Sequence, residues 1–141
     1  MSKRSKKINR FTYIALIVLF IGMVGVCAQT MQVVTVKYSL ASTKSVTSSA
    51  VTANYNNQKF VNGPTKTLYS ATQGTYLRVK ANKKGALGIY STKHTVKFEN
   101  PRANTTASTG NINLPAGTYK YEVYNYGMEL MEGNVTVNII Q

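Results

Sequence analysis

The chain changes its hydrophobic rhythm once. Phe11 to Val36 contains no charged residue, and it follows a start in which Lys3, Arg4, Lys6, Lys7 and Arg10 stand with no acid among them. From Val33 onward apolar side chains recur at every second position, the period of a strand with one face buried. Val34, Val36 and Tyr38 alternate with Thr35 and Lys37, and Leu77, Val79 and Ala81 alternate with Tyr76, Arg78 and Lys80. Val96 and Phe98 oppose Thr95, Lys97 and Glu99 in the same way. Tyr119, Tyr121 and Val123 oppose Thr118, Lys120 and Glu122, while Val135, Val137 and Ile139 oppose Thr136 and Asn138. Shorter strand candidates are Thr67 to Ala71, Leu87 to Ser91 and Asn111 to Leu114. No window after the leader has a helical period.

Turn chemistry separates these runs. Asn62-Gly63-Pro64, Asn82-Lys83-Lys84-Gly85 and Pro115 to Gly117 supply preset or permissive backbone angles. Tyr126-Gly127-Met128 and Glu132-Gly133-Asn134 bracket a segment that reads as a hairpin strand or a loop. Asn100 to Gly110 reads as a long loop, and the Ser/Thr-rich stretch from Ser39 to Ala53 as another, with Val46 and Val51 available to a sheet. This spacing predicts an all-β fold: an antiparallel β-sandwich, immunoglobulin-like or jelly-roll-like, of seven to eight short strands after an N-terminal hydrophobic signal or anchor helix. A barrel is the other arrangement. Leu114-Pro115-Ala116-Gly117-Thr118-Tyr119, running on to Val123 and a closing strand that ends at Ile140, resembles the last hairpin of many bacterial extracellular β-sandwich modules.

The leader predicts export. Val26, Cys27 and Ala28 form a small-x-small site, which places cleavage between Ala28 and Gln29 and makes residues 1–28 a signal peptide. The competing reading is an uncleaved anchor, since Phe11 to Ala28 as a helix would be about 27 Å long against a hydrocarbon core of ~30 Å. In both readings the basic end stays in the cytoplasm and the remainder crosses, so the body is secreted or held at the membrane on its outer side. A lipid on Cys27 matches poorly because Val26 precedes the cysteine, and Leu114 to Thr118 ends Gly-Thr where a sortase signal ends Thr-Gly.

Cleavage there leaves residues 29–141, enough for one domain and too few for two. Five of the 17 basic side chains lie in the leader, so this body carries twelve with all four acids and a net charge of +8, against +13 for the whole chain. A cationic surface favours anionic polymers or lipid head groups, and equally serves colloidal solubility. The single cysteine, Cys27, lies in the leader, which leaves an exported body without an internal disulfide and dependent on buried apolar surface. A bacterial envelope suits such a chain.

Catalysis finds few residues to work with. There is no aspartate, the one histidine is His94, and the acids are Glu99, Glu122, Glu129 and Glu132. A triad needs a base oriented by a carboxylate or amide, and His94 at the opening of a strand beside Lys93 reads as an exposed imidazole. Pairing Glu129 with Glu132, or Glu99 with Glu122, for a two-carboxylate mechanism sets solvated groups against each other. Zinc and calcium sites need ligand sets that this composition lacks, and no glycine-rich loop precedes a helix, so no metal, cofactor or nucleotide is expected.

Surface recognition is what remains. Arg78, Lys80, Lys83 and Lys84 form a candidate patch for an anionic ligand, against the plainer reading of lysines guarding a sheet edge. Tyr124 and Tyr126 are candidate exposed aromatic contacts for sugar rings or a protein partner, although tyrosine is also ordinary strand composition. The expected function is that of a small, non-catalytic binding module at or outside the cell envelope, contacting an anionic envelope polymer or a partner protein. The membrane is met only through the N-terminal segment, and only if that segment stays uncleaved, and nucleic acid is not a partner. A secreted cationic antibacterial effector, or a membrane-tethered exclusion or immunity factor, is the alternative.

Overall fold

A computed structural model describes residues 31–67 and 75–141. The expected leader, with its expected cleavage site between Ala28 and Gln29, lies outside the described residues, as does the 68–71 part of the expected Thr67 to Ala71 strand. Everything regular among the described residues is β-strand: β1 Met31–Leu40, β2 Ser45–Thr47, β3 Val51–Ala53, β4 Asn57–Asn62, β5 Lys66–Thr67, β6 Tyr76–Lys84, β7 Tyr90–Glu99, β8 Ala107–Ser108, β9 Ile112–Asn113, β10 Gly117–Asn125 and β11 Met131–Ile140. They form two antiparallel sheets that resemble a sandwich. The first runs β1-β11-β4-β8, with β5 also on β11 and β9 also on β4, and the second runs β2-β10-β6-β7, with β3 also on β10.

Several of these strands share one position. Val46 pairs with Val123 and Val51 with Tyr119, so β2 and β3 lie end to end along β10. β4 and β5 lie end to end along β11, and β8 and β9 along β4. The eleven segments thus occupy eight positions, nested so that the first pairs with the last (β1 with β11) and the second with the second-last (β2 and β3 with β10). That order is jelly-roll-like.

The period-2 pattern points inward as read. Val36, Tyr38, Leu77, Val79, Ala81, Val96, Phe98, Tyr119, Tyr121, Val123, Val135, Val137 and Ile139 are all buried. Each fully buried Val, Leu or Phe contributes roughly 1.5–3 kcal/mol relative to exposure, which offsets the chain entropy without any disulfide among the described residues. Buried phenols need partners, and each finds one close by. Tyr121 donates to Gln58 Oε1 at 2.9 Å, Tyr119 to the Pro115 carbonyl at 2.6 Å and Tyr38 to Asn62 Oδ1 at 3.0 Å.

The structure departs from the sequence reading in identifiable places. β4 is a strand that the reading lacks: its inward positions are Gln58, Phe60 and Asn62, and two amides hide the alternation that one phenylalanine cannot show alone. Lys83 and Lys84 belong to β6 and not to a turn; the chain reverses at Gly85 to Gly88, where Gly85 N–H donates to the Ile89 carbonyl at 2.8 Å and Gly88 adopts φ +79°. That reversal takes Leu87 and Ile89 out of the expected strand, which starts at Tyr90. Glu132, Gly133 and Asn134 lie within β11. β10 and β11 are not a hairpin either. They belong to different sheets, and residues 126–130 cross between them. Asn125 secures the crossing: its buried amide donates to the carbonyls of Leu40 at 2.9 Å and Glu129 at 2.7 Å and accepts from Gly127 N–H at 2.7 Å.

Candidate functional site

The outward face of the second sheet gathers most of the unusual chemistry. Its central strands place Tyr76, Arg78, Lys80 and Asn82 on β6 and Thr118, Lys120, Glu122 and Tyr124 on β10, all opposite in parity to the buried core. Registers align them in rows: Glu122, Lys80 and Thr95 in one, and Tyr124, Arg78 and Lys97 in the next. Tyr126 opens the next outward row beside Tyr76 and Glu99, because its N–H donates to the Tyr76 carbonyl at 3.0 Å.

Three tyrosines and two cations thereby meet. The Tyr76 and Tyr126 rings stack at 4.7 Å with 11° between planes, and Tyr124 lies 4.3 Å from Tyr126 at 45°. The Arg78 guanidinium sits 4.4 Å from the Tyr126 ring centroid and donates to its hydroxyl at 3.0 Å. Lys97 Nζ lies 4.3 Å from the centroid of Tyr76 and 2.8 Å from Glu99 Oε1. The hydrogen bond and the charge of Lys97 hold the Glu99 carboxyl below its usual range. Among the described residues Arg78 is held by rings and not by a carboxylate, so its positive charge remains available to a ligand. Lys120 repeats the motif nearby, 4.8 Å from the Tyr90 centroid.

The four expected cations separate. Arg78 and Lys80 do share the outward face, but Lys80 is drawn to Glu122 at 3.5 Å. Lys83 pairs with the buried Tyr119 and so has inward parity. Its aliphatic chain covers Gly117, where an added Cβ would stand 2.5 Å from Lys83 Cε. Lys84 faces outward again, six residues from Arg78 and therefore about 20 Å away at ~3.3 Å per residue. Tyr124 and Tyr126 lie together on the outward face, with Tyr126 38% exposed and Tyr124 half-buried. Tyr76 and Lys97 were legible as outward residues, and only the pairing of β6 with β7 and the course of the chain after β10 bring them to Tyr126.

Elsewhere the polar groups stand apart. His94 lies in the middle of β7 and not at its opening, on the inward parity of Val96 and Phe98, whereas Glu99 and Glu122 face outward. A histidine and a carboxylate on opposite faces of one sheet cannot form a dyad. Glu132 accepts from Ser39 Oγ at 3.1 Å on the other sheet. Among the described residues no three His, Cys, Asp or Glu side chains are placed to hold a metal ion. A hollow of about 50 Å³ lined by Lys66, Thr67, Leu130 and Glu132 has room for little more than water.

No protein-family model matches the chain, and no curated protein matches it by sequence. Among solved structures it is similar to GEBA250068378 from Sulfurospirillum deleyianum, at 8% identity and a TM-score of 0.53 over 77% of this chain and 97% of that one. That likeness extends to the fold alone. Structures of infectious bursal disease virus also match: the Gt strain at 15% identity and a TM-score of 0.42 over 80% of this chain, and the Gx strain at 16% and 0.40 over 77%. The chain spans 33% and 32% of those viral chains.

Proposed function

We propose that this chain is a non-catalytic binding module, exported by its leader, that holds an anionic polymer of a bacterial envelope against the outward face of its second sheet. The observation that carries this reading is the stack of Tyr76, Tyr126 and Tyr124 with Arg78 across it. Flat rings take sugar or other planar faces at low entropy cost, while a guanidinium free of carboxylates takes phosphate or carboxylate oxygens. A phosphate-bearing glycan presents both. The net charge of the body favours its approach, and the separation of His94 from the outward glutamates supports a binding role over a hydrolytic one. In finer terms, the nested pairing of β1 with β11 favours a jelly roll over an immunoglobulin-like order.

The test is retention on isolated cell walls that carry phosphate-bearing polymer. Binding is expected at low salt, with release in about 1 M NaCl, where charges are screened beyond about 3 Å. Arg78→Ala and Tyr126→Ala should each abolish retention, while Lys44→Ala, a cation off the outward β6 row, should leave it intact. Retention that survives both site variants, or that ignores salt, refutes the reading.

A further inference from the structure

The turn between β6 and β7 carries a second surface that the tyrosine face does not use. Leu87 is 88% exposed and Ile89 69% exposed, so neither contributes to the core. Leu87 sits in the turn closed by the Gly88 N–H to Gly85 carbonyl bond at 3.0 Å, and Ile89 follows it, its carbonyl accepting from Gly85 N–H at 2.8 Å, with φ +79° at Gly88 fixing the reversal. Lysines flank them: Lys83 and Lys84 end β6, and Lys93 is the residue skipped by the β7 register, in which Ala81 pairs with His94 and Asn82 with Thr92. No acid occurs between Lys83 and Lys93, and all four acids of the chain, Glu99, Glu122, Glu129 and Glu132, lie elsewhere. Two exposed aliphatic side chains on a turn flanked by Lys84 and Lys93 without a counter-acid are complementary to a layer with anionic head groups over hydrocarbon.

The registers show which way this turn faces. Met31 pairs with Ile140, Ile140 with Asn57 and Asn57 with Asn113. Gly117, four residues on, pairs with Ala53 and opens β10, and Tyr119 pairs with Lys83 just before the turn. Met31 and the β6–β7 turn therefore share one end of the sandwich. Met31 and Val33, 54% and 51% exposed, add apolar surface at that end. The expected leader ends at Ala28, three residues before Met31, a span that reaches at most about 10 Å. Where the leader stays uncleaved as an anchor, a body joined so closely to it presents this end to the bilayer that the anchor occupies.

We propose that the β6–β7 turn is a docking finger that sets Leu87 and Ile89 into an anionic phospholipid surface, with Lys84 and Lys93 on the head groups. The polymer-binding reading of the tyrosine face is independent of it.

The experiment uses the full chain with Cys27→Ser, so that Leu87→Cys or Met128→Cys supplies one labelling position for a polarity-sensitive fluorophore. Met128 is the control, being 90% exposed but at the opposite end beside Glu129 and Glu132. Each protein is reconstituted into vesicles of phosphatidylglycerol and phosphatidylcholine that contain a nitroxide-bearing lipid. The expected result is a blue shift and quenching at position 87 with neither at 128. Both should be lost in pure phosphatidylcholine and on Lys84→Glu with Lys93→Glu, two exposed changes whose folding is checked by an unaltered melt. A label at 87 that stays in water, equal quenching at 87 and 128, or quenching at 87 indifferent to lipid charge overturns the proposal. Arg78→Ala should leave the quenching at 87 unchanged, which keeps the two surfaces separable.

Discussion

The ring of Tyr38 lies across Gly133, its direct partner in the pairing of β1 with β11. A Cβ on Gly133 would stand 2.7 Å from the Tyr38 hydroxyl oxygen and 2.9 Å from Cζ, closer than real side chains approach. The same hydroxyl bonds Asn62 Oδ1 at 3.0 Å and Thr65 Oγ1 at 2.8 Å, so the ring cannot simply swing aside. Gly133→Ala should therefore destabilise the fold by about 1–3 kcal/mol, the range for overpacking a tight site. In a Tyr38→Phe background the penalty should shrink, because the ring is then free to shift. A double-mutant cycle by urea denaturation measures the difference, and strict additivity would contradict the contact.

This pair also shows where sequence reading stops. Tyr38 was legible as an inward residue of an alternating strand, and so were Val79, Tyr121 and Val137, because hydrophobic burial repeats at a local period. Gly133 read as a turn residue, since glycine near Glu and Asn usually is one; its actual role depends on a phenol 95 positions earlier in the chain. β4 escaped for the same reason. Gln58 and Asn62 are inward because Tyr121 bonds Gln58 across the core and Tyr38 bonds Asn62 over the intervening β11, and no local pattern records such partners. The tyrosine face divides likewise: parity exposed Tyr124 and Arg78, but their meeting with Tyr76 and Lys97 is a property of the strand order.

Asn125 should prove the most sensitive polar residue in the body. Its single amide group joins the end of β1, the end of β10 and the crossing segment 126–130. Asn125→Ala would leave the Leu40, Ala41 and Glu129 carbonyls and the Gly127 N–H without that partner in a largely buried setting, where each unmet group costs about 1–3 kcal/mol. A loss of about 3 kcal/mol or more in urea denaturation is expected. Asn125→Asp should fare as badly, because a carboxylate cannot donate to the Leu40 and Glu129 carbonyls. A wild-type midpoint for either variant would show that water replaces the amide without cost.

Alkaline stability follows from the buried phenols. Burial raises the pKa of Tyr38, Tyr119 and Tyr121, and for Tyr121 the neighbouring Tyr119 adds to the shift. Below about pH 10, the unfolded value, these phenols are neutral in both states and stability is complete. Above it the unfolded chain ionises first, so it binds fewer protons than the native state and stability falls as pH rises toward the folded values, with a limiting slope of about 1.4 kcal/mol per pH unit per group. Denaturation series between pH 8 and 11 should show that decline, and Tyr121→Phe should make it shallower. A profile flat to pH 11 would mean that the phenols ionise without leaving the core.

The contact of Arg78 with Tyr126 contains two interactions that substitution can separate. The guanidinium lies 4.4 Å from the ring centroid and also donates to the hydroxyl at 3.0 Å. Tyr126→Phe removes only the hydrogen bond and keeps the stack on Tyr76, whereas Arg78→Lys keeps charge but loses the planar group that matches a ring. If the face binds polymer through stacked rings and a preset cation, Tyr126→Phe should lower wall affinity little, within about threefold, a shift under 1 kcal/mol. Arg78→Lys should weaken it further, since a flexible ammonium loses both the ring contact and the two-pronged grip on an anionic oxygen pair. The direct coupling of Arg78 and Tyr126 in folding stability should be about 0.5–1 kcal/mol, as for an exposed cation on an aromatic face. Equal affinity for Arg78→Lys and the parent protein would show that charge alone binds, and would remove the geometric part of the functional proposal.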